Sequence, residues 1–254
     1  MKQARAKIML QELAETISTH NPPLAEWVQQ QMSIHDGMPC ELLDIRYPST
    51  LTGYRNNCNF NLGLDPDTKQ PAVGCKMHRY IENFKAIAQP DGLMHIPDKI
   101  KGAVKAFQDM LRTKLNRQDI RYAKDLIVRS TKDTLLIIIN QNPYKLPRHD
   151  RERFENVCKE YFSSGPGKSS GVTSVFSQID KKRLKSFHLF GERVLYEYPL
   201  DLKIKLYPNG PYATHSEAAE IFYKTAIELI GPVENSTVID LCCGVGPLGL
   251  CFAK

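Results

Sequence analysis

The chain runs to 254 residues, with 42% hydrophobic and 24% charged side chains and a formal net charge of +6. That length can bury a full core as one large domain or two small ones, and the composition excludes a collagenous, low-complexity or intrinsically disordered chain. The mildly basic balance permits a polyanionic partner without requiring one.

Residues 3 to 31 predict helix, with Met9, Leu13 and Ile17 recurring at fours and Leu10 widening the stripe. Asn21-Pro22-Pro23 breaks the run, and Leu24 to Met32 resumes it as a packing or partner helix. From Cys40 the texture turns to strands. CELLDIRYP, YRNNCNFNLGLD and PAVGCKMHRY predict a meander, with Asp65-Pro66-Asp67 turning a hairpin. IPDKIKGAVKAFQDMLRTKL predicts a helix with Ile100, Val104, Phe107 and Leu111 on one face and Pro97 and Asp98 at its start.

KDLIVRSTKD and TLLIIINQN predict a second hairpin, in which Leu135 to Ile139 form a buried, largely β-branched run. HDRERFENVCKEYF is helical, SSGPGKSSG is a turn-rich break, and VTSVFSQI, RVLYEYPL and LKIKLYP return to strands. At Thr214 the pattern becomes α/β. Thr214 and Glu217 have capping-box spacing, and the helix they open is expected to bury Ala219, Phe222, Ala226 and Ile230 before Gly231-Pro232 stops it. Thr237 to Leu241 then predicts a buried strand leading into a glycine turn. The expected organisation is a helical segment over 1–37, an α+β central domain with a mixed or antiparallel sheet over 38–210, and over 211–254 the first βα unit of an incomplete Rossmann-like domain.

The seven cysteines form no CxxC pair with a matching second pair, so no structural metal site is expected and the thiols read as free in a reducing compartment. His78, His95, His188 and His215 are dispersed, without metal-ligand spacing. No apolar run approaches the roughly twenty residues of a membrane span. The amino-terminal MKQARAKIMLQELAETIS sets acids inside an amphipathic pattern, unlike a signal or transit peptide, so nucleus or cytosol is expected.

Gly244, Gly246 and Gly249 satisfy G-x-G-x-x-G between a predicted strand and a helix. Such glycines let the backbone turn tightly and approach a ligand, and the helix start offers unpaired N–H groups. Asp240, four residues before Gly244, suits the ribose and aminocarboxypropyl groups of S-adenosyl-L-methionine. It would repel the pyrophosphate of a dinucleotide in a partly desolvated cleft. A dinucleotide site and a merely structural turn remain the other readings of this spacing. SSGPGKSSG imitates a P-loop but places Phe162 where the first glycine is required, so it reads as a flexible basic loop whose Lys168 is available to an RNA phosphate. In YRNNCNF, strand alternation puts Arg55 and Asn57 on one face and Asn56 on the other, a mixture suited to RNA phosphates and base edges or to an ordinary strand start. Lys181-Lys182-Arg183 with Lys185 reads as a solvated basic loop.

Taken in order, YRNNCNFNLG, PAVGCKM, LMHIPDKIKGAVKAFQDML, GKSSGVTSV, LYPNGPYATHSEAAEIFY and VIDLCCGVGPLGL resemble the RNA uridine C5-methyltransferase family over nearly the whole chain. The resemblance implies methyl transfer from S-adenosyl-L-methionine to C5 of a T-loop uridine in tRNA. It implies cofactor contacts at Asp240, Cys242, Gly244, Gly246 and Pro247. It also places Ala213 where the family carries a cofactor-contacting glutamine, and Cys242 where the family carries an aromatic or aliphatic residue. RNA contacts fall to Arg55, Asn56 and Lys168. The family's nucleophilic cysteine and its proton-abstracting acid lie well beyond the glycine turn, and none of the seven cysteines here falls in the nucleophile's motif. The chain is therefore expected to be the N-terminal and central portion of such an enzyme, without turnover of its own. A non-enzymatic RNA-binding module is the alternative. A nicotinamide-dependent enzyme is a third reading, which would require an acid about twenty residues past the glycines.

Overall fold

The computed structural model describes the chain except for residues 78–85, 117–119, 121, 143–146, 181–183, 212 and 232–234. Its contacts divide it into two units, Met1–Tyr47 and Pro48–Lys254. The first unit holds α1 (Lys2–His20) and α2 (Pro22–Ile34), and the prolines stand at the first turn of α2, where an N–H has no helical partner to lose. Ala14 and Val28 are buried, whereas Met9 and Leu13 of the predicted stripe are exposed. The strand predicted over CELLDIRYP does not form. Residues 41–48 are coil, because no described strand pairs with their alternating Leu43, Asp44, Ile45 and Arg46.

The second unit is a mixed α/β body built on a seven-stranded sheet of order β3-β2-β1-β4-β5-β6-β7. The strands are β1 (Asn57–Leu64), β2 (Pro71–Lys76), β3 (Ile87–Ala88), β4 (Ala123–Ser130), β5 (Leu135–Gln141), β6 (Ser174–Asp180) and β7 (Leu184–Gly191). The predicted β1–β2 hairpin turns where Asp65 Oδ1 accepts hydrogen bonds from the Asp67 and Thr68 amides, at 3.1 and 2.8 Å. Among the described strands every ladder is antiparallel except β5–β6, whose strands are joined by the crossover helix α4 (Arg148–Ser163).

Helix α3 (Asp98–Thr113) buries Ile100, Val104, Phe107 and Leu111 as the sequence predicts, and with Phe154 and Phe162 of α4 it fills one face of the sheet. On β5, Leu135, Ile137 and Ile139 join that core, while Leu136 and Ile138 point the other way. They meet Leu195, Ile204 and Leu206 of a two-stranded ribbon, β8 (Leu195–Glu197) with β9 (Ile204–Leu206). Burial on both faces explains the unbroken apolar run of β5.

Strand β7 is not expected from the sequence. Lys185-Ser186-Phe187-His188-Leu189-Phe190 lacks strict alternation because the register shifts between Val175 and Phe176, so that Val175 opposes Phe190 and Phe176 opposes His188. Its basic approach, Lys181-Lys182-Arg183, lies outside the described residues, as do His78, Tyr212 and Pro232.

Two expectations for the last stretch are corrected. Helix α5 (Ser216–Ile230) buries none of its residues, and Phe222 is 61% exposed, because no described element packs over its outer face. Thr237 to Leu241 forms no ladder, with Ile239 and Leu241 exposed at 77% and 83%; a parallel strand exists only through its neighbours, and no described strand pairs with it. A short helix, α6 (Pro247–Phe252), follows the glycine turn.

Candidate functional site

The strand start Tyr54-Arg55-Asn56 is fastened on two sides. The Asn56 amide donates to Thr214 O at 3.1 Å, and Asn56 O accepts from the Ser130 amide at 2.8 Å. The Asn56 side-chain Nδ2 donates to Ser216 Oγ at 2.8 Å, and Ser216 Oγ in turn donates to Glu197 Oε1 at 3.3 Å. These bonds draw the start of β1, the β4–β5 turn, β8 and the first turn of α5 together around a cavity of about 250 Å³. Arg55, Asn56, Lys99, Ser130, Thr131, Lys132, Glu197 and Ser216 contribute to its wall.

Within this wall Asn56 is 7% exposed, and its Oδ1 has no hydrogen-bond partner. A buried carbonyl left without a donor costs about 1–3 kcal/mol. Arg55 and Lys132 are exposed at the rim, and Lys99 Nζ donates to Thr131 O at 2.9 Å. Cys58, three residues from Arg55, contributes no nucleophile: burial pushes its thiol up to about 11, against the opposing pull of Arg55, so it stays protonated at neutral pH.

The helix beside the cavity is capped differently from the predicted box. His215, not Thr214, is the N-cap, its Nδ1 accepting from the Ala218 amide at 3.3 Å. The His215 ring stacks on Tyr54 with centroids 4.5 Å apart. Glu217 does not turn back to the cap. It reaches Ser49 N (2.6 Å), Ser49 Oγ (2.8 Å) and Thr50 N (3.1 Å); hydrogen bonding from the Thr50 side chain first, then from Ser49, holds its carboxyl down at about 2. The reason is local geometry: with histidine as cap, Glu217 sits one residue too early to satisfy the cap N–H.

Around the glycine turn, Gly244 and Gly246 take left-handed φ of +62° and +78°, and Gly246 serves as the N-cap of α6. Cys242 also has a positive φ, +63°. Asp240 Oδ2 accepts from the Gly249 amide at 3.2 Å, which closes the loop onto the short helix. Nothing lies within 4 Å of where a side chain at Gly246 would begin, whereas one at Gly244 would stand 3.2 Å from Pro211. The turn thus lies beside Pro211, with Ala213 exposed two residues on.

Arg55 and Asn56 are therefore brought together, and Asp240, Cys242, Gly244, Gly246 and Pro247 form a second cluster. Lys168 belongs to neither: it is exposed on the 3₁₀ turn Pro166–Ser170, where Gly167 lies under the Tyr161 ring. Sequence reasoning missed Lys99, Lys132, Ser216 and Glu197. The available signals were the helix start at Pro97 and the S-T-K-D turn, since both end elements at the same edge of the sheet.

No family model matches the chain. It is 31% identical over 266 residues to human tRNA (uracil-5-)-methyltransferase homolog A, covering all of this chain and 43% of that protein. The mouse homolog A is 32% identical over 265 residues, covering 99% and 43% respectively. Human homolog B is 28% identical over 229 residues, covering 85% and 45%. The chain thus spans less than half the length of these relatives. Its fold is like that of the Pyrococcus abyssi tRNA (uracil-54, C5)-methyltransferase solved with S-adenosyl-L-homocysteine, with a TM-score of 0.57 at 16% identity over 89% of this chain and 52% of that one.

Proposed function

The chain is related to the tRNA (uracil-5-)-methyltransferase homolog A proteins, and on that footing we propose that it is the tRNA-binding part of a uridine C5-methyltransferase, joined to the opening of its cofactor site. The observation that carries the reading is the cavity at Asn56, with an unpartnered carbonyl buried in its wall and Arg55, Lys99 and Lys132 among its lining residues. If the Asn56 side chain turns its Oδ1 out of the wall, a uracil N3–H can donate to it, a bond that cytosine cannot make because its N3 is an acceptor. Arg55 and Lys132 take the flanking phosphates, where a guanidinium and an ammonium give charge-assisted bonds. Lys168, away from the cavity, meets the RNA backbone elsewhere.

We read residues 1–37 as a helical segment, 38–210 as the RNA-contacting domain and 211–254 as the beginning of an incomplete Rossmann-like domain. In that last part Asp240, Cys242, Gly244, Gly246, Pro247 and Ala213 would hold S-adenosyl-L-methionine, which supplies the methyl group when bound. No described cysteine lines the Asn56 cavity, so we assign no catalytic residue in this chain. The described helices include none long and apolar enough to cross a membrane, and a tRNA substrate suits the nucleus or cytosol.

The test is tRNA binding measured by filter retention over a range of salt. The wild-type chain is expected to bind, and the Arg55→Glu, Lys132→Glu pair to weaken binding at least tenfold, with the log–log salt slope falling by about 0.7–0.9 for each phosphate no longer neutralised. Unchanged affinity in the double variant refutes the reading.

A further inference from the structure

The β8–β9 ribbon turns one face inward and the other to solvent. Leu195, Ile204 and Leu206 are buried against β5 and β6, so strand alternation places Tyr196, Lys203, Lys205 and Tyr207 on the opposite face. Tyr196 stands directly across the ladder from Lys205. Lys203 Nζ lies 4.2 Å from the centroid of the Tyr196 ring, and Lys205 Nζ lies 5.4 Å from that of Tyr207. Tyr207 is 58% exposed. Neither ammonium is paired with a described carboxylate. Glu197, the acid on β8, faces the other way toward Ser216 and the Asn56 cavity.

We propose that this outer face is a stacking platform for unpaired nucleotides of RNA, with bases lying on Tyr196 and Tyr207 and phosphates on Lys203 and Lys205. The inference rests on the RNA-binding reading above and extends it to a second surface. Every base has a π face, so stacking on tyrosine binds unpaired RNA of any sequence. Lys205 on β9 and Lys203 just before it add two cations beside the rings for a polyanionic backbone. An acidic peptide would satisfy the ammonium groups but make no use of the rings. A duplex hides its bases' faces. β8 carries Glu197 in the cavity wall and Tyr196 on the opposite face, so the ribbon presents a surface separate from the cavity.

The test compares binding of a short oligouridylate and of tRNA by the full chain and by Tyr196→Ala, Tyr207→Ala, the matching phenylalanine variants and Lys203→Gln. Each alanine variant is expected to bind the oligouridylate on the order of tenfold more weakly, and each phenylalanine variant to bind it like the wild type. Lys203→Gln, which keeps both rings, is expected to lower the salt slope by about 0.7 even if an alanine variant fails to fold. Folded alanine variants that bind both RNAs as the wild type does overturn the platform, while loss of tRNA binding in the Arg55→Glu, Lys132→Glu pair leaves the primary reading standing. A wild-type chain that binds neither RNA overturns both.

Discussion

Replacing Phe107 by alanine is expected to lower the stability of the Pro48–Lys254 unit by about 3–5 kcal/mol, read as a shift of the urea midpoint at constant slope. Phe107 is fully buried at the centre of α3, in the cluster that also holds Phe154, Phe162, Ile137 and Phe60. Removing the ring forfeits its transfer free energy and leaves a void that two helices and a sheet cannot close without breaking other packing. Small domains are stable by only about 5–15 kcal/mol in total, so much of the margin disappears. Phe222→Ala is the internal control. It removes the same group from α5, where the ring is mostly in water, and is expected to shift the midpoint hardly at all. Equal shifts for the two variants would contradict the assignment of the core.

The second large effect is expected at Gly191, where β7 ends. Its φ is +80°, and a Cβ there would overlap the Thr173 carbonyl oxygen and stand 2.9 Å from Ser174 Cα. Both obstacles are backbone, at Thr173 just before β6 and at Ser174 that opens it, so neither can rotate aside. Gly191→Ala combines left-handed strain with overpacking, a cost of roughly 2–5 kcal/mol. It should fray the Ser174–Gly191 end of the β6–β7 ladder first. Amide exchange at Val175 that is as slow in the variant as in the wild type would show that the backbone absorbs the methyl group.

The parts of the fold that are legible in the sequence are those in which one local period meets one uniform environment. The fours of Ile100, Val104, Phe107 and Leu111 announce α3 because that helix buries a single stripe. The run Leu135 to Ile139 announces β5 because both of its faces are covered. Where a ladder carries a bulge, as in β7, the alternation that marks a strand is interrupted at the very residues needed to see it. Where a segment needs neighbours to become a strand, as at Thr237 to Leu241, apolar alternation predicts an element that no described partner completes.

The cap of α5 escapes the sequence for a related reason. T-x-x-E is a local pattern, but Glu217 is engaged by Ser49 and Thr50, residues remote in sequence. The cavity follows the same logic. Arg55 and Asn56 stand out in YRNNC, whereas Lys99, Lys132, Glu197 and Ser216 join them only because four elements end at one edge of the sheet.

Two ladders that join distant stretches of chain, β1–β4 and β5–β6, have a consequence for how the sheet assembles. Hairpins such as β1–β2 and β4–β5 close over short turns, whereas β1 meets β4 across α3 and β5 meets β6 across α4, where the Leu135 amide donates to Thr173 Oγ1 38 residues on. The crossover loop is several doublings longer than the β4–β5 turn, and each doubling adds about 0.6 kcal/mol to the entropy of closing it. The hairpins should therefore zip separately and meet late, across α3 and α4. Pulse-labelled exchange during refolding that protected Ile137 and Val175 before Leu126 would reverse that order of events.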